Sequence, residues 1–258
     1  MKKLRKPLII ILTLVLISLI FSLVIGDKAT IQTNDILSAP SFKHFFGTDS
    51  LGRDIFLECM VAIKSTFLIS ITITILSGFI GIIIASICVL LNKYVDEILN
   101  ELINIIISLP MIFIFLLVFS SFPISSLLVI LILSLTMWTG TAKIVRSETM
   151  SCMKEKYIIE QLAVGESKIY ILLKHIIPHI FKPIICNLVL NFSSACITES
   201  SLSFIGIKCA NLTLGTILNY GKNNLFSAWW ISLFPSLFIV IMCYEMMNIV
   251  SIINNEKK

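Results

Sequence analysis

Long apolar runs separated by short polar intervals are the main pattern of this chain. A helix needs about 20 apolar residues, at a rise of 1.5 Å each, to cross a hydrocarbon core of about 30 Å. The pattern therefore predicts an all-α polytopic membrane protein with about six transmembrane helices. The predicted spans are residues 8–25, 61–91, 102–122, 124–142, 183–205 and 228–253.

The order of the runs divides the chain into three parts. Residues 1–26 hold a basic tail and the first helix, 27–60 are mostly polar, and 61–258 hold the other five helices. The first run is too long for a signal peptide and no small-x-small cleavage site follows it, so we expect an uncleaved helix. Within the long second run, Gly78 and Gly81 predict close helix packing.

Composition excludes an ordinary soluble domain. The chain is 57% hydrophobic and 14% charged, whereas roughly a quarter of the residues in soluble domains are charged. No basic stripe of the kind that binds nucleic acid occurs. The seven cysteines form no C-x-x-C motif, and His175 and His179 are separated by Pro178 without a third ligand. We expect no nucleic-acid partner, metal, cofactor or catalytic residue.

The polar interval 143–182 is the longest between two apolar runs and holds seven of the 20 Lys and Arg residues. Its apolar residues recur at helical spacing, which predicts two short amphipathic helices that break near Gly165 and stop at Pro178. Such a segment can be a solvated connector or a docking surface. Its length of about forty residues favours docking, because a loop without a partner has little need of apolar stripes.

Charge predicts the orientation in the membrane. If both termini and the 143–182 interval share one side, that side collects fourteen of the 20 basic residues and the other side keeps six. Cytoplasmic regions of membrane proteins are enriched in Lys and Arg. The interval and both termini are therefore predicted to be cytoplasmic.

The 143–182 interval resembles the cytoplasmic EAA loop of the membrane subunits of ABC importers, most closely those for dipeptides, oligopeptides or nickel. Gly165 and Pro178, thirteen residues apart, keep the family spacing. The acidic residue falls one place late, at Glu160. The resemblance implies a role in coupling to an ATPase for Tyr157, Glu160, Gln161, Ala163, Gly165, Lys174, His175 and Pro178.

A second stretch resembles the G-T-D-x-x-G-R-D signature of the same branch, matched at Gly47, Thr48, Asp49, Gly52, Arg53 and Asp54. It is not a nucleotide site, since Arg53 and Asp54 stand where a P-loop needs Lys and Ser or Thr. Arg53 can pair with Asp49 or Asp54 and hold a tight turn. Alternatively the segment receives substrate, because in the family this loop lies on the external face where a binding protein docks.

Two further matches lie inside apolar runs. Pro110 belongs to a Ser-Leu-Pro element and predicts a bend in the third helix. Glu199, with Ser201 and Ser203, matches the family pattern E-x-S-L-S-F. A charge costs about 2.5 kcal/mol or more in an apolar setting, so Glu199 should face protein or water. It either lines the pathway or packs against Ser200 or a partner subunit.

The resemblance implies a type I ABC importer fold, with the coupling loop between helices 4 and 5. It also implies a permease in a bacterial cytoplasmic (inner) membrane, assembled with a second homologous permease, two cytoplasmic ATPase subunits and an external substrate-binding protein. An alternative is a self-contained ion-coupled secondary transporter, for which Glu199 and Glu245 would be the intramembrane acids and inverted repeats would be expected. Dependence of uptake on ATP hydrolysis separates the two hypotheses.

Overall fold

The computed structural model describes residues 5–25, 33–90 and 93–255. The tail 1–4, the start of the polar segment at 26–32, residues 91–92 and the final residues 256–258 lie outside the described residues. The described part consists of helices and turns, with an isolated β-bridge between Thr48 and Asp54. The helices are α1 (Arg5–Val24), α2 (Ile55–Leu90), α3 (Lys93–Ser108), α4 (Met111–Ser121), α5 (Ser126–Cys152), α6 (Lys156–Ala163), α7 (Lys168–Ile171), α8 (Ile177–His179), α9 (Phe181–Ile205), α10 (Leu214–Gly221) and α11 (Trp230–Asn255).

Five of these helices, α1, α2, α5, α9 and α11, are long and apolar enough to cross a membrane. A sixth crossing is present if α3 and α4 form one broken span, since their axes differ by 82° across a short break. The prediction of about six spans is confirmed in this sense. The second span begins six residues earlier than its predicted start at residue 61, because α2 begins at Ile55.

The third span differs most from its prediction. The apolar pattern predicts one bent helix that begins at residue 102, but α3 already begins at Lys93, so the predicted start is wrong. The chain then stops being helical before Pro110, which adopts φ −62° and ψ 117°. Proline lacks an N–H and disfavours helical geometry in the residue before it. The helix therefore breaks rather than bends.

The helices contribute to two compact units. Unit 1 comprises Met1–Thr72, Ile124–Ile130 and Phe192–Lys258, and unit 2 comprises Ile73–Pro123 and Leu131–Asn191. The core of unit 1 is formed by buried side chains of α2, α9, α10 and α11. Members of that core are Ile55, Ile63, Phe192, Ile217 and Ile231.

Unit 2 is held together by small residues on α2. A Cβ added at Gly81 would lie 2.7 Å from the Trp138 carbonyl oxygen on α5, and one added at Gly78 would lie 2.4 Å from Cδ2 of Leu188 on α9. These distances are too short for a side chain, so the close packing predicted from the two glycines is present. On the facing helices, Thr141 donates a hydrogen bond of 2.9 Å to the Asn187 side chain.

Candidate functional site

The 33–54 loop of unit 1 contains the first signature, and its two glycines are required by the backbone. Gly47 and Gly52 have φ of +74° and +73°, in the left-handed region that glycine favours. Space is also lacking, because a Cβ on Gly52 would lie 2.1 Å from the Thr33 carbonyl oxygen. At Gly47 the corresponding distance to the Ser38 carbonyl oxygen is 2.6 Å.

Arg53 is the centre of a buried charge cluster in this loop. Its Nε donates to Asp49 Oδ2 at 2.6 Å, and its backbone N–H donates to Asp49 Oδ1 at 2.9 Å. Arg53 Nη1 lies 3.2 Å from Glu58 Oε1 on α2, and the guanidinium carbon lies 4.2 Å from the centre of the Tyr220 ring. Burial alone would lower the pKa of Arg53, but Glu58 and Asp49 together raise it. The predicted salt bridge is present, and Asp49 is the partner.

Asp54, the other predicted partner, has a different role. Its Oδ1 accepts hydrogen bonds from the backbone N–H groups of Phe56 at 2.9 Å and Leu57 at 3.2 Å. This is the N-cap arrangement that begins a helix, and it explains why α2 starts at Ile55. Its Oδ2 contacts His44 Nδ1 at 2.8 Å. His44 also contacts Asp35, whose pKa is lowered chiefly by hydrogen bonds from Lys43 and His44.

Thr48 ties the loop to the rest of unit 1. Its hydroxyl accepts a hydrogen bond of 2.9 Å from the backbone N–H of Ser38, and its carbonyl oxygen accepts one of 3.1 Å from Trp230 Nε1 on α11. Together with the Tyr220 contact of Arg53, these bonds fix the loop against α10 and α11. The signature residues of the loop therefore hold a folded turn.

Sequence reasoning missed Glu58, Tyr220 and Trp230. Glu58 is fully buried, and no donor within the described part of the chain forms a hydrogen bond to either of its carboxylate oxygens. An acid in the first turn of an apolar helix, five residues after Arg53, is a signal that could have identified it. Tyr220 and Trp230 are more than 150 residues away along the chain, so no local pattern indicates them.

The 143–182 segment is more helical than its polarity suggests. Helix α5 continues to Cys152, and α6 and α7 follow. The chain turns at Gly165, where φ is +93° and the backbone N–H bonds to the Leu162 carbonyl oxygen at 3.1 Å. A left-handed glycine after a helix is a common helix end. The predicted break near Gly165 is confirmed.

The helical segment ends one residue after Pro178, so the stop predicted at this proline is confirmed to within a residue, although Pro178 itself lies in the last turn. A π-helical turn (Leu172–Ile176) leads into α8, which contains Pro178, and the chain turns at Ile180 before α9. The N–H of Ile177 bonds to the Leu172 carbonyl oxygen, five residues back. Proline cannot donate to a helical carbonyl, and the wider π turn accommodates this missing bond.

The two faces of this segment differ. Fully buried side chains such as Ile158, Ile171 and Ile176 join the apolar core of unit 2. On the other face, Ile169 and Leu173 are each 60% exposed, although their spacing predicts the same stripe, and Val164 is 85% exposed. The exposed predicted residues are Tyr157, Glu160, Ala163, Gly165, Lys174 and Pro178, whereas Gln161 and His175 are half-buried.

Lys174 is the predicted residue with the clearest local contact. Its ammonium donates a hydrogen bond to the Tyr170 hydroxyl and lies 4.6 Å from the centre of that ring. This hydrogen bond raises the pKa of Lys174. The Lys174 charge is therefore retained on the exposed face.

Glu199 lies in unit 1, where its carboxylate is enclosed by protein. It accepts hydrogen bonds from the hydroxyls of Ser203 at 2.9 Å and Ser200 at 3.3 Å, and it is fully buried. Burial, and then the nearby Glu199, raise the pKa of Cys209 to about 12. Ser201 points elsewhere and donates to the Ile197 carbonyl oxygen. This geometry favours the packing interpretation of Glu199 over the pathway interpretation.

The described residues contain no group of three or more His, Cys, Asp or Glu side chains that could hold a metal ion. Residues 77–256 match the family model described as the binding-protein-dependent transport system inner membrane component. The chain belongs to this family. The permease is thus a multi-pass inner-membrane protein that works with ATPase subunits and a substrate-binding protein. ATP is hydrolysed by the separate ATPase subunits and not by the permease.

Two relatives come from Bacillus subtilis (strain 168). The permease is 28% identical over 241 residues to the oligopeptide transport system permease protein OppC, covering 92% of this chain and 79% of the relative. It is 27% identical over 208 residues to the dipeptide transport system permease protein DppC, covering 80% of this chain and 65% of the relative. These similarities support an ABC importer subunit and not a self-contained ion-coupled transporter.

A solved structure supports the predicted fold. The MetNI methionine ABC transporter in an inward-facing conformation matches the permease with a TM-score of 0.56 at 16% identity, covering 75% of this chain and 97% of the other. At this identity the likeness shows the fold alone. The permease has the type I ABC importer fold.

Proposed function

We propose that the permease forms, with a second homologous permease subunit, the pathway through which an ABC importer moves peptides. The observation that carries the choice of cargo is the similarity to oligopeptide and dipeptide permeases over most of the chain. Nickel or another metal chelate is the competing cargo, because permeases for peptides and permeases for nickel share the G-T-D-x-x-G-R-D signature.

The exposed face of the 143–182 segment is the proposed contact with the ATPase subunits. Its buried stripe is already used by the core of unit 2, so the exposed apolar side chains of Val164, Ile169 and Leu173 are left for a partner. Gly165 lies at the turn between the two short helices, with no described atom within 4 Å of a Cβ added there. A partner surface can therefore approach the backbone closely at this turn.

The orientation follows from the distribution of basic residues. The 143–182 segment and both termini lie on the cytoplasmic side, where the ATPases are, and the 33–54 loop lies on the external side. There the folded turn around Arg53 presents a fixed surface to the substrate-binding protein. Its signature residues act by holding this turn and not by contacting cargo, because Asp49 and Arg53 are buried against each other.

Reconstitution tests the proposal. The permease is co-expressed with the second permease and the two ATPase subunits, and the complex is placed in proteoliposomes with its binding protein. We expect ATP hydrolysis to be stimulated by binding protein loaded with a dipeptide or a pentapeptide. Stimulation by a nickel complex alone would contradict the peptide assignment. Uptake that persists with hydrolysis blocked and collapses with the ion gradient would contradict the importer.

A further inference from the structure

An ion pair joins two helices of unit 2 that are 50 residues apart in the chain. Arg146 on α5 donates through Nε to Asp96 Oδ1 at 2.5 Å and through Nη2 to Asp96 Oδ2 at 2.6 Å. Asp96 on α3 is buried. Two parallel bonds from a planar guanidinium to one carboxylate fix both the distance and the relative rotation of the groups, which a single lysine contact does not.

Arg146, one member of the pair, lies in the part of α5 that begins the 143–182 segment. One apolar core contains Ile103 of α3, Val145 of α5, Ile158 of α6 and Ile171 of α7. Val145 directly precedes Arg146 in the chain. Helices α3 and α6 to α8 therefore pack into the same core as the end of α5, and the ion pair adds a directional bond to the α3 contact.

The other end of α3 is the break at Pro110. Beyond it, α4 departs at 82°, and among the side chains of α4 the structure buries Phe115. Half of the remaining α4 side chains are both exposed and apolar, including Phe113 and Leu117. Within unit 2, α3 is thus tied to α5 at its first turn and joined to a mainly exposed helix at its last.

We propose that Asp96 and Arg146 are positioning residues that make α3 follow α5 when the 143–182 segment is displaced by its ATPase. The displacement then reaches the break at Pro110 and reorients α4. This inference rests on the proposed contact between the 143–182 segment and the ATPases. Apolar packing alone lets one helix slide along another, whereas the paired hydrogen bonds hold α3 in register with α5.

The test measures cargo transported per ATP hydrolysed by the complete complex in proteoliposomes. The cargo is whichever of labelled dipeptide, labelled pentapeptide or nickel complex stimulates the wild type. The variants are Asp96→Asn, Arg146→Gln and the exchanged pair Asp96→Arg with Arg146→Asp. Glu101→Gln, an exposed acid on the same helix, is the matched control. ATPase retention and thermal stability are measured on the same samples.

We expect each single variant to lower the ratio of cargo to ATP about tenfold, within the 5–150-fold range of coupling between sites. The exchanged pair should recover at least half of the ratio, and Glu101→Gln should leave it unchanged. A merely structural pair would lower stability, hydrolysis and transport in proportion, and that unchanged ratio would overturn the proposal. If Asp96→Asn and Arg146→Gln fail to assemble, Arg146→Lys replaces them, since it keeps the positive charge and loses the paired hydrogen bonds. We expect Arg146→Lys to lower the ratio of cargo to ATP, and a wild-type ratio in this variant would overturn the proposal.

The wild-type complex separates this inference from the function on which it depends. A wild type that neither retains ATPases nor couples hydrolysis to uptake refutes the proposed function. A wild type that couples, together with single variants that couple equally well, refutes only the role of Asp96 and Arg146.

Discussion

The 33–54 loop and the 143–182 segment both carry family signatures, but they use them in opposite ways. In the loop, the signature side chains bond to one another and to α2, and Asp49 and Arg53 are buried. In the segment, most of the predicted residues are exposed, and apolar residues outside the signature, such as Ile158, form the buried side. One signature specifies a fold, and the other leaves a surface available.

This difference makes a general point about motifs. In a motif rich in glycine and paired charges, the residues stabilise their own fold, because tight turns need left-handed glycines and buried charges need partners. The exposed residues around Gly165 do not stabilise the fold in this way. Substitutions in the loop should therefore act on stability, whereas those in the segment should act on partner binding.

The largest expected effect is that of Arg53→Gln. It leaves Asp49 buried without its cation, and removing one partner of a buried pair costs about 3–5 kcal/mol. We expect a matching loss of thermal stability in detergent. Full stability of Arg53→Gln would show that the cluster does not hold the loop.

Gly52→Ala should have the next largest effect. The new Cβ meets the Thr33 carbonyl oxygen and the left-handed backbone is strained, which together cost about 2–4 kcal/mol. Thermal unfolding of the purified permease measures the loss. Gly140→Ala is the matched control, since no described atom lies within 4 Å of a Cβ there and alanine favours a helix. Equal stability of the two variants would contradict the geometry of the turn.

The spans were predictable because crossing a membrane requires length and apolarity, which a single sequence shows directly. The first part of α3, residues 93–101, was missed because polar residues occupy part of its surface, and Asp96 is paired with a residue 50 positions away. The π turn before Pro178 was missed because it leaves no sequence pattern that distinguishes it from an α-helical turn.

The candidate sites were predictable as motifs but not as networks. The turn, the Arg53 to Asp49 bond and the break at Gly165 all follow from glycine conformation and charge. Glu58, Tyr220 and Trp230 complete the loop only in three dimensions. Of the two interpretations of Glu199, the hydrogen bonds from Ser200 and Ser203 favour packing, and a role in the pathway stays a prediction.

Gly165→Asp tests the exposed half of the comparison. We expect stability to change by about 1 kcal/mol, since a left-handed residue is strained but meets no neighbouring atom. ATPase co-purification should fall at least tenfold and uptake should fall with it. Gly165→Asn is the control for shape, because asparagine tolerates the left-handed region and adds no charge. A Gly165→Asp permease that retains its ATPases and transports normally would show that the segment is not the docking surface.

The smallest effect is expected at Asp35, which lies at the exposed edge of the 33–54 loop and pairs with Lys43 and His44. Its pKa is lowered in the folded protein, so the ionised form is favoured by folding. The contribution is present above the unfolded pKa of about 3.9 and is lost as the pH falls through the lower folded value. As the pH is lowered from 6 to 2.5, the melting temperature should therefore fall less steeply in Asp35→Asn than in the wild type.

Because the contacts of Asp35 are exposed, salt should reduce this difference between Asp35→Asn and the wild type. The effect of Arg53→Gln, whose charges are buried, should persist at high salt. A pH dependence unchanged by Asp35→Asn would place the acid sensitivity of the loop in the buried cluster instead of at its rim.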